Sequence, residues 1–500
     1  MKKAAVIADR HFQIGKVEDR MIGSFIEQQG SCIYNGIYEP THPTADEDGF
    51  RKDVLEMTRQ LNLSVIRFPG GNYTSGYDWM DGIGPRDQRP ARLELAWKSI
   101  DPNHIGLHEY VNWIRKAGAE PLMTINLGTG TVKEAQRLVE YANFPCGTAM
   151  SDLRIRNGQK EPFNIRTWCL GNELDGEWQI NHKTAYEYGR IAAETARVLR
   201  TMDPALELVA VGSSSDQMAT YPKWDYEVLM QTYHDVDFLA LHKYILREGR
   251  SLGAYLAMPL EMEKMIHKIT ATCDYVKSVL HSSKVMKLTF DEFMPCTNGT
   301  VIEPQPWLPS GEERDPSNFN LSEALVFGSM LITLLRHSDR VKMACQSILI
   351  NCVPLMLTKK DGPVWANTTY YPMLHVSRYA RGVTLRTVME GPQYDAGEYG
   401  SVDAIDHVAI YHEETGEITV FAVNRTDEPV ALAFSGFGFA HDPVLAEHIA
   451  MEGDTDVRNT LHHPLACIPH TVQDSLENDG SCVRLNPYSW NVLRYHTGCR

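Results

Sequence analysis

From about residue 20 to 380, short apolar runs alternate with longer stretches in which apolar residues recur at helical spacing. The runs are Ile22–Ile26, Val65–Phe68, Pro121–Asn126, Arg166–Leu170, Leu206–Val211, Phe238–Leu241, Lys287–Phe290 and Lys342–Ile350. Their length and turn-rich flanks predict buried strands. Leu107–Ala117, Thr184–Met202 and Glu261–Leu280 carry the apolar stripe of amphipathic helices. Eight strands alternating with helices predict an α/β fold, a parallel sheet closed into a (β/α)8 TIM barrel. An open doubly wound sheet is the alternative, but nothing like GxGxxG follows the first strand. After about Arg381 the pattern shortens to His407–Tyr411, Glu417–Val423, Val430–Phe434 and Trp490–Tyr495, separated by turn clusters such as Glu414-Thr415-Gly416. That predicts a C-terminal all-β unit, a β-sandwich. The leading run Lys3–Ala8 is expected to pair with it. The expected organisation is an N-terminal strand (1–17), a catalytic barrel (18–380) and the β-sandwich (381–500).

Composition narrows the function. Five hundred residues exceed what one core usually serves, and 43% hydrophobic with 22% charged residues excludes a mainly disordered chain. The net charge of −16 would repel phosphate backbones, so no nucleic-acid partner is expected. Between Met1 and Gly15 only Ala4–Ala8 is apolar before Asp9 and Arg10 interrupt it, so neither a secretory signal nor a membrane partner is expected. The ten cysteines show no CxxC pair, and no Cys/His pattern has zinc-ligand spacing. A reduced, cytoplasmic protein without metal or cofactor is the expectation.

Barrel enzymes work at the carboxyl ends of their strands. The polar residues there are Arg67-Phe68-Pro69-Gly70-Gly71-Asn72, Gly171-Asn172-Glu173, His242-Lys243-Tyr244 and Asp291-Glu292. Two carboxylates on different strand ends suit glycoside hydrolysis, one as acid/base and one as nucleophile, with retention if they stand roughly 5–5.5 Å apart. Period two places Leu288, Phe290 and Glu292 on one inward face, and gives Asp291 a structural role on the other.

Longer motifs add a family. Arg67–Asn72, Ser75-Gly76-Tyr77-Asp78-Trp79 and Gly82-Ile83-Gly84-Pro85-Arg86-Asp87-Gln88-Arg89-Pro90 resemble family 51 of the glycoside hydrolases, the α-L-arabinofuranosidases. So do Gly36-Ile37-Tyr38-Glu39-Pro40, Trp168–Glu173, Arg336-His337-Ser338-Asp339-Arg340, Tyr370-Tyr371-Pro372, Phe421–Arg425 and Ser489-Trp490-Asn491-Val492. The resemblance implies a barrel followed by a β-sandwich, a short arabinose-bearing oligosaccharide as substrate, and a homo-oligomer, often a hexamer. It implies Glu173 as acid/base and Glu292 as nucleophile. Glu27, Asn72 and Asn172 would bond sugar hydroxyls, while Arg67, His242 and Tyr244 would orient and tune the carboxylates. Three positions depart from the family pattern: Cys296 stands where a Trp lines the sugar site, Ile348 where a Gln touches a hydroxyl, and Ile245 where a second Tyr follows Tyr244. These departures leave open another furanoside, a β-xyloside or a β-glucoside as substrate. A sugar-binding relative without turnover is the remaining alternative.

Overall fold

The computed structural model of the chain describes residues 1–296, 307–312, 317–473 and 482–498; Cys499 lies outside them. Strand β1 (Lys2–Lys16) comes first. The barrel follows: β2 (Gly23–Phe25), β3 (Val65–Phe68), β4 (Glu120–Thr124), β5 (Thr167–Cys169), β6 (Glu207–Val211), β7 (Phe238–Leu246), β8 (Lys287–Cys296) and β9 (Val341–Gln346). Each strand pairs in parallel with the next, and Cys345 opposite Gly23 closes the ring between β9 and β2. All eight predicted strands are barrel strands. Val65, Leu122, Cys169, Val209, Phe238, Ala240, Met343 and Cys345 form one buried cluster contributed by six of them. These side chains plug the barrel, so it is a packed core and not a pore.

The helices begin and end where local chemistry dictates. Helix α1 (Leu107–Ala117) stops at Gly118, whose φ of 83° is the left-handed conformation glycine adopts without penalty. Helix α2 (Ala185–Met202) starts with a reciprocal Thr184/Glu187 capping box. Helix α3 (Pro259–Val279) carries proline in its first turn, where no N–H is needed. Helix α4 (Leu321–Arg336) is capped by Asn320 and Glu323 and is buried along almost its whole length. An all-round apolar helix must be covered on both sides. The barrel covers one side of α4 and the C-terminal sheet the other: the Trp490 ring sits so close to Gly328 that a Cβ there would fall 2.6 Å from it.

The C-terminal unit is mostly β. Its strands form one nine-stranded hydrogen-bonded sheet that includes β1, which runs parallel to Val430–Phe437 and antiparallel to Val383–Glu390. Ala4, Val6, Leu432, Val483, Leu493 and Tyr495 come from strands far apart in that sheet yet share one core. The sheet therefore curls round its own interior. Cys32, Cys146, Cys169, Cys273, Cys345 and Cys467 are free thiols. No helix among the described residues is long and apolar enough to cross a membrane.

Candidate active site

The mouth of the barrel opens into a cavity of about 330 Å³. Seven of the ten sequence-predicted site residues line it: Glu27, Asn72, Glu173, Tyr244, Glu292, Cys296 and Ile348. The other three, Arg67, Asn172 and His242, lie beneath, buried and bonded to that lining.

Glu292 owes its place to an irregularity in β8. Thr289 pairs with Ala240 and Glu292 with His242, so three steps along β8 match two along β7. The same extra residue appears against β9, where Phe290 and Phe293 face Ala344 and Gln346. This is a β-bulge, and it breaks the two-residue alternation. Leu288 and Phe290 pack outward in the helix-covered core, while Asp291 and Glu292 both serve the barrel interior. The expected inward face of Leu288, Phe290 and Glu292 is thus corrected, and so is the exclusion of Asp291. Asp291 Oδ2 lies 3.3 Å from Arg67 Nε, and its Oδ1 lies 3.1 Å from His242 Nε2.

Arg67 is fully buried and is the hub. Its Nη1 donates to Glu292 Oε1 at 2.7 Å, its Nη2 to Asn172 Oδ1 at 2.7 Å, and its Nε to Thr124 Oγ1 at 3.1 Å. Tyr244 donates its hydroxyl to Glu292 Oε2 at 2.7 Å and is hydrogen-bonded to Ser347. Glu173 sits at a φ of 45°, in the left-handed region that non-glycine residues enter at a cost. Its carboxylate accepts from Trp178 Nε1 at 2.7 Å, and His242 Nδ1 lies 2.9 Å from its Oε1. Oxygens of Glu173 and Glu292 and a nitrogen of His242 all lie within 4.8 Å of one another.

Burial alone would raise both carboxyls and lower His242. Against that burial, the hydrogen bond and charge of His242, with Trp178 and Gln179, hold Glu173 below the usual carboxylate range. Glu292 is raised, by burial and by the Glu173 charge, although His242 and Arg67 oppose the shift. His242 goes well up despite its burial, because the charges of Glu292 and Asp291 surround it. The cations Arg67 and His242 therefore face the carboxyls of Asp291, Glu173 and Glu292, and burial beside the Glu173 charge makes Glu292 the harder of the pair to ionise.

Glu27 occupies a tight niche. The Tyr73 N–H and Trp97 Nε1 donate to its Oε1 at 2.8 and 2.9 Å. A Cβ on Gly70 or Gly71 would stand 2.5–2.9 Å from atoms of its side chain, so the two glycines are what admit it. Burial pushes its carboxyl up to about 8. Asn172 Nδ2 donates to Asn72 Oδ1 at 3.3 Å, and Gln179 also bonds that oxygen. Phe25, Leu246, Cys296, Ile348 and Val353 supply an apolar side of the cavity. Ile245 does not join them; it is fully buried in the helix-packed core, so its departure from the family pattern is not a change in the wall.

Sequence reasoning missed Trp97, Trp178, Gln179 and Ser347, as well as Asp291. Only Trp178 left a signal, as a Trp five residues after Glu173 in a glycine-containing loop.

A barrel whose strand ends bring two buried carboxylates together over an open cavity is the frame of a glycoside hydrolase. Comparison with known proteins gives the family. Residues 57–249 match the α-L-arabinofuranosidase 1 domain and residues 300–489 the α-L-arabinofuranosidase C-terminal domain. The chain is 42% identical over 497 residues to the intracellular exo-α-(1→5)-L-arabinofuranosidase 1 of Bacillus subtilis, covering 99% of each. It is 45% identical to the intracellular exo-α-(1→5)-L-arabinofuranosidase of Streptomyces lividans, covering 99% of this chain and 75% of that one. The structure of a family 51 α-L-arabinofuranosidase from Bifidobacterium longum superposes with a TM-score of 0.94 at 34% identity, covering 99% of this chain and all of that one. The chain belongs to the family 51 α-L-arabinofuranosidases and is a glycosidase.

Proposed function

We propose that the protein is an intracellular, retaining exo-α-L-arabinofuranosidase that removes terminal arabinofuranosyl residues from short oligosaccharides. It needs no cofactor, since two carboxylates supply the chemistry. Residues 18–380 are its catalytic unit, and residues 381–500, joined by 1–17, are its β-sandwich. The observation that supports the mechanism is the approach of Glu173 and Glu292 oxygens to within 4.8 Å, short of the roughly 6.5–9.5 Å between the carboxyls of inverting enzymes. The relatives' names supply the sugar, the exo action and the intracellular setting. A homo-oligomer, by family resemblance a hexamer, is the assembly we propose.

In this reading Glu292, held by Arg67 and Tyr244, attacks the anomeric carbon while Glu173 protonates the leaving oxygen. Glu173 then takes a proton from the incoming water as the sugar is released from Glu292. Glu173 must carry a proton at the first step. His242 Nδ1, 2.9 Å from Glu173 and 3.6 Å from Glu292, is the group placed to exchange it. Glu27, Asn72 and Asn172 bond the hydroxyls of the terminal sugar. The apolar side at Cys296 and Ile348 favours a second reading on one point: the same chemistry on another glycoside that presents a less hydroxylated edge.

The test is leaving-group dependence. Glu292→Ala should abolish turnover on every substrate. Glu173→Ala should lose far more on poor leaving groups than on activated aryl ones, and azide should partly restore it. Early-time NMR should show the released sugar with the substrate's anomeric configuration. Equal losses in both variants across all leaving groups, or an inverted product, would remove the double displacement.

A further inference from the structure

A second group of ligand-type side chains meets away from the barrel mouth, where α3 passes the end of α4. Glu263 and His267 lie four residues apart on α3, one turn of helix, and so share a face. His337 is the C-cap residue of α4. His337 Nε2 lies 3.1 Å from Glu263 Oε1, and His267 Nε2 lies 3.8 Å from the same oxygen. The two imidazoles meet edge to face, with centroids 4.9 Å apart at 88°. One donor atom from each of the three residues falls within 4.8 Å of the other two. The second oxygen, Glu263 Oε2, is buried and makes no hydrogen bond; it faces Arg336 Nη1 at 3.3 Å. Arg336 in turn holds Asp406 of the C-terminal sheet.

We infer that Glu263, His267 and His337 form a binding site for a divalent transition-metal ion of the Zn2+ class, with water completing the coordination. Two imidazoles and a carboxylate are the donors such ions select, whereas Mg2+ and Ca2+ prefer oxygen throughout. Ligands about 2.0–2.2 Å from a tetrahedral metal stand roughly 3.3–3.5 Å from each other. The 3.1 and 3.8 Å separations from Glu263 bracket that spacing, and the two imidazole donors lie within 4.8 Å of each other. Arg336 does not occupy the ligand position, because it faces Oε2 and leaves Oε1 to the histidines. Glu263 offsets its repulsion of a bound cation, while its other nitrogen is paired with Asp406, which also holds Arg425. A metal here would tie α3 to α4 at the corner where the barrel meets the sheet.

Co2+ is the probe, because its visible spectrum distinguishes nitrogen/oxygen ligands from thiolates. The full-length protein should bind one equivalent that His267→Ala and His337→Gln do not, with d–d bands and no thiolate charge-transfer band. Zn2+ should displace it and raise the Tm of the wild type but not of His267→Ala. His267 is mostly exposed and far from the catalytic machinery in role, so kcat/KM on an aryl glycoside should be the same in wild type and His267→Ala. Binding that persists unchanged in both variants, at thiols or at the catalytic carboxylates, overturns the assignment. A wild type that binds neither Co2+ nor Zn2+ at excess metal overturns it equally.

Discussion

At Ile348 the cavity wall offers a sugar hydroxyl no side-chain partner, and Cys296 beside it is a short side chain where the family resemblance expects a Trp. A buried hydroxyl left without a partner costs about 1–3 kcal/mol. Ile348→Gln combined with Cys296→Trp should therefore raise kcat/KM on 4-nitrophenyl α-L-arabinofuranoside by about tenfold, judged on one substrate panel for wild type and double variant. If the wild type is already fast and selective and the double variant gains nothing, the two positions are neutral. Glu27 permits a prediction with a definite sign. Its carboxyl titrates near 8 in the fold against 4.5 as its ordinary value, so between those values only the unfolded chain loses the proton. Folding stability is diminished progressively as the pH rises from about 4.5 to about 8. Glu27→Gln, which cannot ionise, should remove that slope. It should melt higher than wild type at pH 8 while raising KM, if Glu27 bonds the sugar as proposed. A parallel Tm–pH curve for the two proteins would contradict the burial argument.

Among elements, the eight barrel strands were legible because each is an apolar run too short for a helix and bounded by turn residues. Their ends were less so: β7 continues to Leu246 and β8 to Cys296, well past the last apolar residue of the runs that announced them. The extra length carries His242, Tyr244 and Glu292, polar residues whose partners come from other strands and leave no local periodicity. The bulge in β8 escaped for a related reason. An inserted residue changes pairing without changing composition, so alternation read straight through Leu288, Phe290 and Glu292 put the wrong residues inside. Trp97 reaches the cavity from a loop whose local sequence does not point there, whereas Trp178, which bonds Glu173, was marked only by its closeness to Glu173 along the chain. The Gly70-Gly71 turn was visible, but its purpose, close approach to Glu27, needed the fold. Gly70→Ala tests that purpose. Its φ of 138° disfavours any side chain, and the new methyl would meet Glu27 Cγ at 2.6 Å. We expect a loss of roughly 1–3 kcal/mol in stability with a raised KM. An alanine variant with wild-type stability and kinetics would mean that Glu27 has room to move.

Across the whole molecule, the barrel and the curled sheet share one apolar core through α4. Phe421, Trp490 and Val492 of the sheet belong to the same buried cluster as Leu325, Phe327 and Leu331 of that helix. Trp490 stacks on Phe421 with centroids 5.7 Å apart and donates its Nε1–H to His375 Nδ1 at 3.0 Å. Burial pushes His375 down to about 4, and His108 and His407 share that direction and value. For these bases the unfolded chain takes up protons first, so stability should fall as the pH drops from about 6.5 toward 4. The continuous core also sets how the protein unfolds. Trp490→Ala removes a fully buried indole, opens a cavity beside Gly328 and leaves His375 Nδ1 without its donor, which should cost about 3–5 kcal/mol. Because the damage lies in a core common to both units, calorimetry should show one transition moved down by several degrees. Thermal inactivation of the glycosidase should move with it, although Trp490 is not among the residues lining the cavity. Two separated transitions, with inactivation still at the wild-type temperature, would instead make the sheet an independent unit whose packing on α4 the barrel does not need.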